Sequence, residues 1–305
     1  MQIDKSPDSV IVTGLFSYPV KGGRGVSHTN ASVLTTGLTH DREWMVVDAR
    51  TSPAQFLTQR DRAAMAKLDV EVHTDGGLML SFDSGVVAHL AVALPPRSSL
   101  IKVKVWGHET VALDAGDVAA TWLQRALGFS HPVRLVRFNP DMRRDCNRLY
   151  AGNSGAHTYF ADGYPLLVAN AASLADLNAR MARSADVADG VDVAGGAGIG
   201  GNALPMNRFR PNVVIEGVPA WDEDHIDTIG IGSEVVLRLV KPCVRCEVTT
   251  IDQTTGLSAS DEPLDALARF RSSAQFGGVT FGWNAVVVTP GSLSIGDQAR
   301  VTYRF

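Results

Sequence analysis

Short apolar, β-branched segments cut off by glycine or proline run along almost the whole chain, and they limit what it can fold into. Residues 10–18 form one such run and stop at Pro19; residues 43–47 form another. Residues 67–74 and 78–82 flank Asp75-Gly76-Gly77, a hairpin signal because glycine accepts a positive φ. Residues 101–106 turn at Gly107-His108 and return over 110–113. Further strands are expected at 133–138, 166–169, 212–215, 234–240, 284–288 and 299–303. Many short strands with Gly-rich turns predict a barrel or sandwich rather than an alternating α/β fold. At 305 residues the chain is long enough for two modules. The expected class is a β-rich α+β protein, with one β-barrel module over 8–125, a second over 126–305, and a few flanking helices.

The helices are few. Ala119, Trp122, Leu123, Ala126 and Leu127 lie at amphipathic helical spacing, with Asp117 or Asp114 available to cap the start and Gly128 the end. Ser173-Leu174-Ala175-Asp176 resembles a capping box opening a helix through Met181. A short helix is expected over 264–270. Residues 183–205 are rich in glycine and alanine. They neither follow a strand nor open a helix, so a surface insertion is expected there rather than a dinucleotide loop. Residues 1–8 read as a disordered terminus.

Composition excludes several functions. A net charge of −4 with no long basic block argues against a nucleic-acid binder. No apolar run is long enough to span a bilayer, and the start lacks a basic region followed by an apolar stretch, so a cytoplasmic protein is expected. Three cysteines, Cys146, Cys243 and Cys246, are too few for a disulfide framework.

Chemistry concentrates in residues 241–252. Cys243 and Cys246 stand three apart, beside Lys241 and Arg245. Neighbouring cations favour the thiolate, the form that binds metal or attacks. Zinc needs four ligands, and no second Cys pair or spaced His pair is present. A thioredoxin-like pair would open a helix, whereas the β-branched Val248, Thr249, Thr250 and Ile251 follow. A single thiolate on a cofactor metal needs only one cysteine. Two cysteines buried in a strand is the bland alternative.

Other stretches suit an anion. Lys21-Gly22-Gly23-Arg24 puts two cations in a glycine-rich loop. Arg42, just before a strand, and Arg210 with Asn212 offer planar forks for phosphate or carboxylate. Each alone is equally a solvated turn or a surface ion pair. Phe281-Gly282-Trp283-Asn284 reads as core aromatics or a pocket lining. His40 and His157 lie near these segments, but neither is placed as an acid or base.

Taken in order, Tyr18-Pro19-Val20-Lys21, Asp41-Arg42-x-Trp44, Phe56-x-Thr58-x-Arg60, Ser173 to Asn178, Arg208 to Asn212, the Cys243/Cys246 segment and Phe281-Gly282 resemble the MOSC-domain proteins with an N-terminal MOSC β-barrel. Within that family, the amidoxime-reducing components of mitochondria and their bacterial relatives are similar from about Gly14 to Val301. The resemblance implies a molybdenum cofactor, a molybdenum-bearing pyranopterin, whose metal is ligated by Cys246, with Cys243 structural. It implies that Lys21, Gly22, Arg42, Arg210, Asn212 and Arg245 hold the cofactor, with Asp162-Gly163-Tyr164 as a further contact. Gly22 stands where many relatives have serine, which removes one hydroxyl contact. The implied reaction is two-electron reduction of N-hydroxylated small molecules, with the protein supplying position and electrostatics. Some bacterial relatives carry a C-terminal ferredoxin domain. With no spare cysteines after the last strand, this chain is expected to hold no iron–sulfur cluster and to take electrons from a separate donor protein. A cofactor or sulfur carrier without turnover is the competing expectation.

Overall fold

The computed structural model describes residues 10–82, 87–188 and 203–304. Two rings of strands organise them. In one, strands Trp44–Asp48, Ala54–Phe56, Leu100–Val105, His108–Asp114 and Val133–Phe138 pair in that order, and the last pairs back onto the first. In the other, Leu166–Asn170, Val213–Glu216, Val10–Ser17, Gln298–Tyr303, Ile226–Ile231, Val235–Val244 and Gly278–Thr289 pair in sequence, and the last closes onto Leu166–Asn170. The protein is therefore two closed β-barrels with few helices, as expected. Closure removes the exposed strand edges that an open sheet would present.

The barrels are interlocked along the sequence. The first strand, Val10–Ser17, belongs to the C-terminal barrel, and the next, Val20–Lys21, pairs with Trp44–Asp48 in the other. Val133–Phe138, read as opening the second module, instead completes the first ring between His108–Asp114 and Trp44–Asp48. Apolar alternation shows that a segment is a strand but not which ring accepts it. The chain thus crosses between barrels at Tyr18-Pro19, and that crossing becomes one wall of the site.

Trp44–Asp48 shows why its sequence is continuously apolar. Met45 and Val47 point into the barrel with Val103, Val105, Ala112 and Val136. Trp44 and Val46 point outward, under helix Asp117–Leu127 and the hairpin strands Asp69–Val72 and Leu78–Ser81. A strand buried on both faces loses period-2 alternation. The helix buries Ala119, Trp122, Leu123, Ala126 and Leu127 and ends at left-handed Gly128 (φ 66°), as the spacing predicts. Its start differs: Gly116 precedes it with no side-chain cap, because Asp114 and Asp117 are both held by Arg134 at 2.7 and 2.6 Å.

The later helix, Ala171–Ala188, begins before the expected capping box. Asn170 Oδ1 accepts from the Ala172 amide at 3.0 Å, while Ser173 faces the buried Glu223 and Asp176 pairs with Arg180. The helix also takes up residues 183–188 of the expected insertion; residues 189–202 of it, and residues 1–8, lie outside the described residues. Among the described residues no helix is long and apolar enough to cross a membrane.

Gly282 closes the C-terminal ring. It sits at φ 71°, and a Cβ there would meet the Val168 carbonyl oxygen at 2.8 Å. Gly282→Ala is expected to lower unfolding free energy by about 2–3 kcal/mol, from left-handed strain plus a backbone clash. A urea titration with an unchanged m-value checks this; a loss under about 0.5 kcal/mol would contradict it.

Candidate functional site

The seam between the barrels holds a cavity reached by both of them. Lys21, Gly22, Arg42, Thr58 and Gln59 line it from one side, and Phe209, Arg210, Asn212, Cys243, Arg245 and Cys246 from the other. Asp162, Gly163 and Tyr164 line it from the loop that joins them. The residues that the family resemblance pointed to, from Lys21 and Gly22 to Arg245 and Cys246, therefore lie on one surface, whereas Arg24 and Lys241 do not line it.

Each cation is held by its own local structure. Lys21 ends the strand Val20–Lys21 and is only 5% exposed. Its ammonium donates to the Phe160 carbonyl at 2.9 Å and to Asp162 Oδ1 at 2.5 Å. Burial pulls the Lys21 pKa down, with Asp162 opposing. Arg42 and Arg210 both adopt left-handed backbone (φ 51° and 53°), uncommon for non-glycine residues and concentrated at ligand clamps. The two guanidinium groups each lie 4.2 Å from the ring of Tyr18, at the inter-barrel crossing. Arg42 is paired with Asp41 at 2.6 Å. Arg210 has no carboxylate partner; it donates to Gln253 Oε1 at 2.9 Å, and burial pulls its pKa down to about 10.

Asn212 lines the cavity, and its amide also works within the protein: Oδ1 accepts from Arg42 Nη1 and the Leu167 amide, each at 3.1 Å, and Nδ2 donates to the Phe16 carbonyl. It orients Arg42 and stitches strands. Arg245 donates to Cys243 Sγ at 2.8 Å and to the Phe209 carbonyl at 2.8 Å, while its buried Nε has no hydrogen-bond partner.

The two thiols differ. Cys243 is at the end of strand Val235–Val244, and burial pushes its pKa up, so it stays a neutral thiol beside Arg245. Cys246 is exposed and precedes a single 3-10 turn, Glu247–Thr250, where an extended run was expected. The Cys246 carbonyl accepts from the Thr249 amide and hydroxyl, and this threonine contact makes the turn. All three cysteines are free. Among the described residues no group of three or more His, Cys, Asp or Glu could hold a metal ion.

Sequence reasoning missed two glutamines. Gln59 and Gln253, one from each side of the seam, exchange amide hydrogen bonds at 2.9 and 2.8 Å. Gln59 also donates to the Gly22 carbonyl. Neutral glutamines carry no charge pattern, so only their meeting in space shows their role as a clasp under Arg210 and Gly22. It also missed Arg144, which donates to the carbonyls of Ala161 and Asp162 at 2.6 and 2.7 Å and so shapes the Asp162 loop. His40 and His157 lie outside the cavity lining; His40 pairs with Glu43 at 3.3 Å.

The charge balance defines what the cavity takes. Among the described residues, Lys21, Arg42, Arg210 and Arg245 face two nearby carboxylates, Asp41 and Asp162, leaving excess positive charge in a part-buried space. Uncompensated buried charge is costly, so an anionic group is the natural occupant. The orphaned Arg245 Nε offers it a further donor. Fold and site together define a two-barrel protein whose inter-barrel cavity joins an exposed thiol to a cluster of cations.

Residues 156–300 match the MOSC domain, and residues 9–130 the MOSC N-terminal beta barrel domain. Mitochondrial amidoxime-reducing component 1 of Mus musculus is 30% identical over 298 residues, covering 94% of this chain and 80% of that protein. The Homo sapiens protein of the same name is 30% identical, covering 94% and 81%. Mitochondrial amidoxime reducing component 2 of Rattus norvegicus is 29% identical, covering 94% and 81%. The chain belongs to the MOSC-domain family with an N-terminal MOSC β-barrel, that of the mitochondrial amidoxime-reducing components.

Proposed function

We propose that this protein is a molybdenum-cofactor-dependent oxidoreductase that reduces N-hydroxylated small molecules, with Cys246 as the metal's protein ligand. The observation that carries the reading is an exposed thiol opening onto a cavity with an excess of buried cations. A soft thiolate and an anion cradle are the two features that a phosphate-bearing, sulfur-ligated metal cofactor requires. Its amidoxime-reducing relatives support the substrate class. When bound, the cofactor supplies two-electron redox chemistry toward an N–O bond.

The chain's own residues do the rest. Lys21, Arg42, Arg210 and Arg245 bind the anionic end, and the Gln59–Gln253 clasp holds Arg210 and the Gly22 backbone in place. Tyr164, whose pKa burial pushes up to about 12, keeps its proton at neutral pH. Cys243 stays neutral beside Arg245 and leaves Cys246 to ligate. Electrons come from a separate donor protein, and the free cysteines suit a cytoplasmic setting.

Metal content after expression in a host that makes the cofactor tests the proposal. Near-stoichiometric molybdenum is expected in the wild type and background levels in Cys246→Ala. Absence of molybdenum from both folded proteins, with extra sulfur on Cys246, would overturn it in favour of a sulfur carrier.

A further inference from the structure

We propose that Trp106 is a substrate-positioning residue, an aromatic lip on the cavity that favours N-hydroxylated substrates carrying a flat aromatic group. This rests on the reductase reading. Trp106-Gly107 is the two-residue turn between strands Leu100–Val105 and His108–Asp114, which pair through Val105 and His108. Gly107 is not in the positive-φ region, so the positive φ falls on the first turn position, where such hairpins usually place glycine. Here a tryptophan takes the first place at φ 53°. A bulky side chain in left-handed backbone is uncommon, and this one stays 45% exposed.

The indole is nevertheless fixed. Its Nε1 donates to Asp162 Oδ1 at 3.2 Å, the Phe56 ring lies 5.0 Å away, and the Arg60 guanidinium lies 4.8 Å from its ring. Asp162 lines the cavity, as do Thr58 and Gln59, the residues just before Arg60. Trp106 does not itself line the cavity; it stands just outside, held by Asp162, which does. Asp162 is tied in turn to Lys21 at 2.5 Å, so the lip and the cation cradle share one carboxylate. An exposed aromatic surface already immobilised loses little entropy when a second flat ring stacks on it. An aliphatic substrate of the same head group gains far less from that contact.

Calorimetric titration without an electron donor tests this, using benzamidoxime and acetamidoxime on the protein purified with its cofactor. Benzamidoxime is expected to bind the wild type and to quench its tryptophan fluorescence, and to lose that quenching in Trp106→Leu, since Trp44, Trp122 and Trp283 are buried and the half-buried Trp221 is outside the cavity lining. Trp106→Leu is expected to weaken benzamidoxime about tenfold and leave acetamidoxime unchanged, while Trp106→Phe recovers most of the affinity. In turnover the loss falls on KM and spares kcat. Equal weakening of both ligands by Trp106→Leu, or no weakening of benzamidoxime by either variant, would overturn the proposal. A wild type that binds benzamidoxime but never reduces it, with any donor, would overturn the reductase reading and leave the lip standing.

Discussion

Arg210→Met is expected to stabilise the ligand-free protein while costing it its anion. Arg210 is 9% exposed and has no carboxylate partner, and burial pulls its pKa down to about 10. Carrying that charge at neutral pH costs on the order of 3 kcal/mol, at about 1.4 kcal/mol per pKa unit. Methionine matches the aliphatic stem of arginine, lacks the guanidinium, and loses two contacts, the donation to Gln253 Oε1 at 2.9 Å and the stacking on Tyr18 at 4.2 Å, together worth about 1–2 kcal/mol. Gln253 Oε1 is not orphaned, because Gln59 also donates to it. The balance is a gain of about 1–2 kcal/mol, or roughly 2–5 °C in Tm. The sign with pH follows from a depressed cation: the folded state disfavours the charge at every pH below the folded pKa, and relief begins only as pH rises through it. The gain should therefore be flat from about pH 6 to 9. In the opposite direction, removing one desolvated guanidinium should weaken inorganic pyrophosphate about 100-fold, read as loss of its stabilising effect on Tm, and strip the purified protein of metal. A variant that is less stable and still stabilised by pyrophosphate would refute the anion cradle.

Such a trade between stability and ligand is set by where the barrels meet. Tyr18 lies at the crossing of the chain between rings, with Arg42 and Arg210 beside its ring, and its hydroxyl donates to the Pro211 carbonyl at 3.0 Å. Asn212 ties Arg42 to the strands Val10–Ser17 and Leu166–Asn170. The cations are thus held by strand pairing on both sides of the seam, and folding itself meets the cost of bringing like charges together.

The strands were legible because each carries its own short apolar pattern, and the Cys243/Cys246 segment because thiols and cations are rare enough to stand out. The Asp75-Gly76-Gly77 hairpin and the buried face of helix Asp117–Leu127 are local events, and local patterns specify them. Val133–Phe138 was misplaced because its partners, Trp44–Asp48 and His108–Asp114, are chosen by ring closure. The capping assignments failed through distant partners and shifted helix starts: Asp114 divides between Arg134 and the Gly116 amide, Asp117 is already in the helix, and Ser173 turns to Glu223. Asn212 was seen as a site residue, but its role in holding Arg42 was not, since three partners far apart in sequence set it.

Ser173→Ala should expose how strongly one of those distant pairings holds the C-terminal barrel. The Ser173 hydroxyl donates to Glu223 at 2.7 Å and accepts from the Trp221 amide at 2.8 Å. Glu223 is 1% exposed and also accepts from Asn170 Nδ2 at 3.0 Å. The network pins the start of helix Ala171–Ala188 to strand Leu166–Asn170, whose first residues, Leu166 and Leu167, line the cavity. Burial raises the Glu223 pKa, with the Asn170 and Ser173 hydrogen bonds opposing. For a carboxyl raised in the folded state, stability is fully present below the unfolded pKa and is lost as pH rises through the folded one. The ionised form of Glu223 is therefore the unfavourable one, kept tolerable by its donors. Alanine removes one donor from that charge and leaves the Trp221 amide unpaired, a loss of about 2–4 kcal/mol at neutral pH. The neutral acid needs fewer donors, so the loss should shrink as pH falls toward about 5. Urea unfolding of wild type and variant at both pH values checks this. An equal loss at each would mean that the carboxylate's charge has no part in it, and a loss below about 0.5 kcal/mol that the network does not hold the helix.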